Sequence, residues 1–182
     1  MKYWDPEIYL KGWNFASVAH QRQLMPGSKV PYLNHIGSVT MEGMRAICEG
    51  DDIDNPDLLI QCCLLHDVIE DAGVSYETLT QEFGVSVADG VLALTKNKKL
   101  PSKQAQMEDS LSRIMEQPME IWMVKMCDRT SNLQSPPTHW DKEKISKYRQ
   151  EAILILDKLG KANQYLAQRL KNKITDYQRY LC

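Results

Sequence analysis

The sequence predicts an all-α fold, a single helical bundle spanning residues 1–182. Three observations lead there. Helix-forming residues dominate, and no stretch sustains the period-two alternation of a half-buried strand. Proline, glycine and short polar residues divide the chain into segments of helical length. A chain of 182 residues suits one domain and buries enough apolar surface to stand without cross-links.

Asp5-Pro6 opens a first helix, with Ile8, Phe15, Val18 and Ala19 as its buried stripe. A turn follows at Pro26-Gly27-Ser28 and Val30-Pro31-Tyr32. Asn34 caps a second helix from His35 to about Glu49, ended by Gly50 and the acidic loop 51–57. A third helix runs from about Pro56 to Asp71 and stops near Gly73. Ser75 caps a short helix, Tyr76 to Phe83, and Gly84 breaks the chain before the segment Val85 to Thr95. The lysine-rich connection 96–103 leads to a polar helix over about Gln104 to Glu116. Pro118 restarts the chain, and Ile121, Val124 and Cys127 carry a helix to Asp128. Pro136-Pro137 is the clearest break. Two amphipathic helices, about Asp141 to Leu159 and Ala162 to Leu181, finish the chain with a hinge at Gly160.

Composition excludes several classes of function. With 24 acidic against 22 basic residues, the chain has no bulk attraction for nucleic acid polymers or an anionic membrane. No apolar run approaches the ~20 residues of a membrane span. The segment from Met1 to Trp13 lacks the apolar core of a secretory signal. Five cysteines (Cys48, Cys62, Cys63, Cys127 and Cys182) leave one unpaired in any disulfide scheme and form no C-x-x-C spacing. These features together suggest a cytoplasmic protein with reduced thiols. Trp4, Trp13, Trp122 and Trp140 read as packing anchors, and Met41, Met44, Met115, Met123 and Met126 as core filler. His139 reads as a surface-turn residue.

The chemistry concentrates at Leu64-Leu65-His66-Asp67-Val68-Ile69-Glu70-Asp71. At helical spacing His66 lies under Glu70 and Asp67 under Asp71. Carboxylates and a histidine at the inner end of an apolar helix are costly unless a positive partner meets them, and a divalent metal ion is the simplest one. His35 and Asp128 offer further ligands. A mixed imidazole and carboxylate set suits Mn²⁺, or another divalent transition ion, better than Ca²⁺ or Mg²⁺. Such an ion lowers the pKa of water it holds, and Glu70 and Asp71 are placed to orient that water or take its proton. Lys125, Asp128 and Asn132 fall on one helical face, as a cation, a ligand and an amide. Arg129 lies round the helix, where it braces the fold through an ion pair. His20 reads as a helix-packing residue, with a hydrogen bond toward the site as the alternative. The lysine run 96–103 reads as a solvated connection, with attraction for phosphate as the alternative.

The set Ala19-His20, Pro31-Tyr32-Leu33-Asn34-His35, His66-Asp67…Glu70-Asp71, Ala93-Leu94-Thr95-Lys96 and Val124-Lys125-Met126-Cys127-Asp128-Arg129-Thr130-Ser131-Asn132-Leu133 resembles the hydrolase domain of RelA/SpoT-type enzymes of the HD superfamily. It is most similar to the stand-alone small alarmone hydrolases. The likeness extends from about Asn14 to Lys173 and includes Trp140, Lys144, Tyr148 and Leu159-Gly160…Asn163. It implies a helical phosphohydrolase with Mn²⁺ held at His35, His66, Asp67 and Asp128, and with Glu70 and Asp71 serving the attacking water. The implied reaction removes the 3′-pyrophosphate of guanosine tetra- and pentaphosphate. Lys125 and Asn132 match residues lining the nucleotide site, and Lys103, Lys144 and Tyr148 are phosphate contacts by position. One departure stands out. Where the family carries an Arg-Lys pair that brackets the base, this chain has Leu24-Met25-Pro26-Gly27, with Arg22 three residues early as the substrate-binding candidate in its place. A guanidinium stacks on a purine face, and Met cannot reproduce its charge. Two other readings therefore stay open, hydrolysis of another nucleotide or phosphorylated cofactor and a non-catalytic binding module. Monomer and homodimer are equally compatible with the terminal helices.

Overall fold

A computed structural model describes residues 3–49 and 53–181. Gly50, Asp51, Asp52 and Cys182 lie outside the described residues, so the stop assigned to Gly50 is not addressed. Nine α-helices follow in order among the described residues: α1 Pro6–Ala19, α2 Leu33–Glu49, α3 Pro56–Leu65, α4 Tyr76–Phe83, α5 Val85–Leu94, α6 Lys103–Met115, α7 Met119–Asn132, α8 Lys142–Leu159 and α9 Gln164–Tyr177. Short 3₁₀ turns lie at Gly160–Ala162 and Gln178–Tyr180. Among the described residues the one extended contact is an isolated antiparallel bridge between Leu24 and Pro31.

Helix α3 lies at the centre, packed on α1, α2, α5 and α7. Eight of its ten residues are buried, which is what its nearly continuous apolar sequence requires. Three neighbours reach it through glycine, α2 among them, where a Cβ on Gly43 would stand 3.0 Å from Cys63 Sγ. A Cβ on Gly12 of α1 would stand 2.8 Å from Leu64 Cδ1. One on Gly90 of α5 would stand 2.5 Å from Ile121 Cδ1 and 3.1 Å from Cys62 Sγ. Asn55 caps the helix by accepting from Leu58 N–H at 3.0 Å. The Asn55 N–H itself donates to the buried Glu120 carboxylate of α7 at 2.7 Å, so the start of α3 is bound to α7. Helices α8 and α9 close over α7, and Arg169 of α9 grips the buried Glu42 of α2 through Nη2 at 2.9 Å and Nε at 3.2 Å.

Most boundaries fall where expected. Ser75 caps α4, Asp141 caps α8, and Gly84 at φ +85° separates α4 from α5. Three expectations about the helices need correction. Helix α2 begins at Leu33, so Asn34 lies inside it. The Pro31 and Tyr32 carbonyls already receive the Asn34 and His35 amides, at 3.0 and 2.8 Å, and no side-chain cap is needed. Helix α3 ends at Leu65 and continues only as turns through Ala72. His66 Nδ1 donates to the Cys63 carbonyl at 2.9 Å, the carbonyl a continuing helix would offer to Asp67. Val18 is 69% exposed because α1 faces the core through Gly12 and Ala16, and Val18 lies about 200° round from Ala16.

Among the methionines, Met123 and Met126 are buried and Met44 is partly so, but Met41 and Met115 face solvent. Cys62, Cys63 and Cys127 are free, buried thiols, and Cys48 is free and exposed. His139 is exposed in a turn. Among the described residues, no helix is long and apolar enough to cross a membrane.

Candidate metal centre and the adjoining cavity

Four side chains from three elements converge. His35 comes from the first turn of α2, His66 and Asp67 from the turns after α3, and Asp128 from α7. His35, His66 and Asp128 each offer a ligand atom, all within 4.8 Å of one another. His35 Nε2 lies 3.3 Å from His66 Nε2 and 3.5 Å from Asp128 Oδ1. Asp67 Oδ2 stands 3.0 Å from His66 Nε2 and 3.8 Å from His35 Nε2. Both histidines are buried.

This donor set fits a divalent cation. A carbonyl can only accept, so the Cys63 contact places a His66 proton on Nδ1 and leaves Nε2 as the atom that lends its lone pair to a cation or, without one, takes a second proton. Two imidazoles and two carboxylates then face one small space, a concentration of lone pairs that a positive charge must balance. Without an ion the balance falls on protons. Burial alone lowers the His66 pKa, but the Asp67 charge and its hydrogen bond outweigh this and lift it to about 9. Burial would raise Asp67, and the His66 charge instead holds it well below the usual carboxylate range. Asp128 is held low in the same way, against its own burial, by Lys125 and His35.

Each carboxylate has its own support. Asp128 receives Lys125 Nζ at 3.1 Å and the Asn132 side-chain amide, so the face read from the spacing of α7 is real. Asp67 receives the Tyr32 hydroxyl at 2.5 Å. Burial and the Asp67 charge keep that phenol protonated, hence a donor. Arg129 braces the fold through Glu151 at 3.0 Å and lies 4.1 Å from the centre of the Tyr148 ring.

Beside the cluster opens a cavity of about 1250 Å³. Glu70, Asp71, Lys103, Lys125, Asn132, Lys144 and Tyr148 all line it, as do Lys96, Lys98 and Lys147. Glu70 accepts from the Lys96 backbone N–H at 3.0 Å, with Lys96 Nζ at 3.8 Å. Asp71 accepts from Gln23 Nε2 at 3.1 Å. Lys144 sits 4.4 Å from the ring centre of Trp140, which therefore lines the cavity as well as packing. Burial pushes the Tyr148 phenol up to about 12, so it too stays protonated. The lysine connection thus faces the cavity rather than bulk solvent alone. Arg22 is exposed and does not line the cavity.

Sequence reasoning gave no role to Tyr32 or Gln23. Tyr32 lies in the turn before His35, and its one signal was its place in the motif that carries the family resemblance. Gln23 carried none, because only the folding of the 20–32 loop brings it to Asp71.

Comparison with known proteins places the chain. The HD domain family matches residues 12–164. The chain belongs to the HD domain family. Guanosine-3′,5′-bis(diphosphate) 3′-pyrophosphohydrolase MESH1 of Xenopus tropicalis is 27% identical over 180 residues, covering 94% of this chain and 96% of that protein. The protein of the same name from Danio rerio is 26% identical over 169 residues, covering 90% of this chain and 91% of that protein. A solved structure described as a metazoan orthologue of SpoT that hydrolyses ppGpp superposes with a TM-score of 0.82 at 25% identity, each chain covered in full. An HD-type helical fold and a site for a divalent metal are what this family membership carries.

Proposed function

We propose that this chain is a Mn²⁺-dependent hydrolase of guanosine 3′,5′-polyphosphates that releases the 3′-pyrophosphate. One observation carries the reading most directly. His35, His66, Asp67 and Asp128, with both histidines buried, gather beside a cavity that Glu70, Asp71 and several lysines also line. Its relatives named for this activity match nearly the whole chain.

His35, His66, Asp67 and Asp128 would hold the ion, which when bound supplies Lewis-acid polarisation and makes water acidic enough to act near neutral pH. The chain's own residues do the rest. Glu70, fixed by the Lys96 amide, and Asp71, fixed by Gln23, orient the attacking water and take its proton. Lys125 sits against Asp128 and offsets negative charge gathered at the reacting phosphate. Lys103 and Lys144 meet the outlying phosphates, and the protonated Tyr148 donates a hydrogen bond within the same cavity.

A second reading keeps the chemistry and changes the substrate to another phosphorylated nucleotide. It is favoured by the loop where the base-bracketing pair is expected. Leu24 and Met25 stand there instead, Leu24 is 50% exposed, and neither they nor Arg22 line the cavity. Metal-stripped protein, with and without Mn²⁺, should be tested on a nucleotide panel that includes guanosine tetraphosphate, with pyrophosphate and orthophosphate followed separately. Mn²⁺-dependent pyrophosphate release from the alarmone supports the first reading. Turnover of other nucleotides with the alarmone untouched selects the second. No turnover across the panel overturns both and leaves a binding module.

A further inference from the structure

We infer that Gln23 is a positioning residue for Asp71, locked in place by His20. The role of Asp71 rests on the hydrolase reading above; the hydrogen-bond relay does not. Asp71 is exposed on the turns after α3, where a short carboxylate samples several rotamers. Its Oδ2 receives Gln23 Nε2 at 3.1 Å, and Gln23 Oε1 lies 2.6 Å from His20 Nδ1.

The direction of this relay follows from donor and acceptor chemistry. An ionised carboxylate only accepts, so Gln23 turns its NH₂ to Asp71 and its oxygen to His20. That oxygen only accepts, so His20 carries its proton on Nδ1. The Nε2 atom is then a bare acceptor, and it is indeed buried without a hydrogen-bond partner on a side chain only 3% exposed. An unsatisfied buried nitrogen is a cost, and here it accompanies the one tautomer that fixes the amide.

The backbone makes the device stiff. Gln23 N–H donates to the His20 carbonyl at 2.9 Å, and the Gln23 carbonyl accepts from Tyr32 N–H at 2.9 Å. Tyr32, fixed by that bond, reaches Asp67. One loop between α1 and α2 therefore sets both a proposed ligand and a proposed base.

The test uses Gln23→Met, which fills the same space without the amide, in the native chain and in an Asp71→Asn background, with saturating Mn²⁺ and guanosine tetraphosphate. In the native background kcat should fall about tenfold with KM little changed, the cost of a misplaced catalytic group. In the Asp71→Asn background the further loss should be below about twofold, because the two residues act as one unit. Equal losses in both backgrounds, or no loss in the native one, overturn the positioning role. ¹⁵N NMR of the histidines provides an arm that needs no turnover. The native His20 should be the Nδ1–H tautomer, and Gln23→Met should abolish that preference. A native Nε2–H tautomer overturns the relay whether or not the chain cleaves the alarmone. Failure of the native chain to cleave it, with the tautomer as expected, overturns the hydrolase reading and leaves the relay standing.

Discussion

The two central elements that carry carboxylates to the site, α7 and the end of α3, are built in opposite ways. Helix α7 runs unbroken past Asp128, and Lys125 and Asn132, on the same helix three and four residues away, hold this carboxylate alongside His35 of α2. Helix α3 stops at Leu65, and the acids beyond it are held from elsewhere: Asp67 by Tyr32, Glu70 by Lys96 and Asp71 by Gln23. A carboxylate braced by its own helix is positioned as soon as that helix forms. One braced by distant loops is positioned only when the tertiary fold is complete.

The largest effect that separates the two sides comes from the ligands themselves. Asp67→Ala and Asp128→Ala should each lower Mn²⁺-dependent turnover by about 10³-fold or more, because several kcal/mol of Lewis-acid stabilisation disappear with the ion. Metal analysis of the purified variants should show the ion lost in both. Retention of a full ion by Asp67→Ala would place Asp67 outside the coordinating set.

The supports come next. Tyr32→Phe and Asn132→Ala each remove one hydrogen bond to a proposed ligand, and each should weaken Mn²⁺ binding by about 10- to 100-fold in a titration of stripped protein. The contrast appears on partial unfolding. At low denaturant, Asp67-side support should fail before Asp128-side support, so hydrogen exchange should rise in the 20–32 loop before it rises in α7.

Smaller effects concern the clamp on α3. Gly90→Ala drives a methyl against Ile121 and Cys62, both fully buried, and should cost about 1–3 kcal/mol in urea unfolding. Asn55→Ala removes the cap of α3 and should cost about 1 kcal/mol by the same measurement. A neutral Gly90→Ala would mean that α5 stands off Ile121 of α7 and Cys62 of α3 more than the structure shows.

This asymmetry also explains what could be read from the sequence. The α7 face of Lys125, Asp128 and Asn132 was legible because its spacing is local. So were the cap Ser75 and the break at Gly84, where residue chemistry and backbone need coincide. The end of α3 was not, because periodicity sees an apolar run followed by acids and cannot see His66 taking the Cys63 carbonyl. The expected burial of Val18 failed for a related reason. A hydrophobic stripe was assigned to the larger side chains, whereas α1 meets α3 through Gly12 and Ala16. Gln23, Lys96 and Lys98 depend on loop paths that no spacing rule reports.

The central claim is that one ion, held by groups from both elements, drives release of pyrophosphate. The most direct measurement titrates stripped protein with Mn²⁺ and follows bound ion and pyrophosphate from guanosine tetraphosphate in the same samples. We expect release to rise in proportion to occupancy and to saturate at one ion per chain. Full release from ion-free protein, or an ion bound at that stoichiometry without any release, would contradict it.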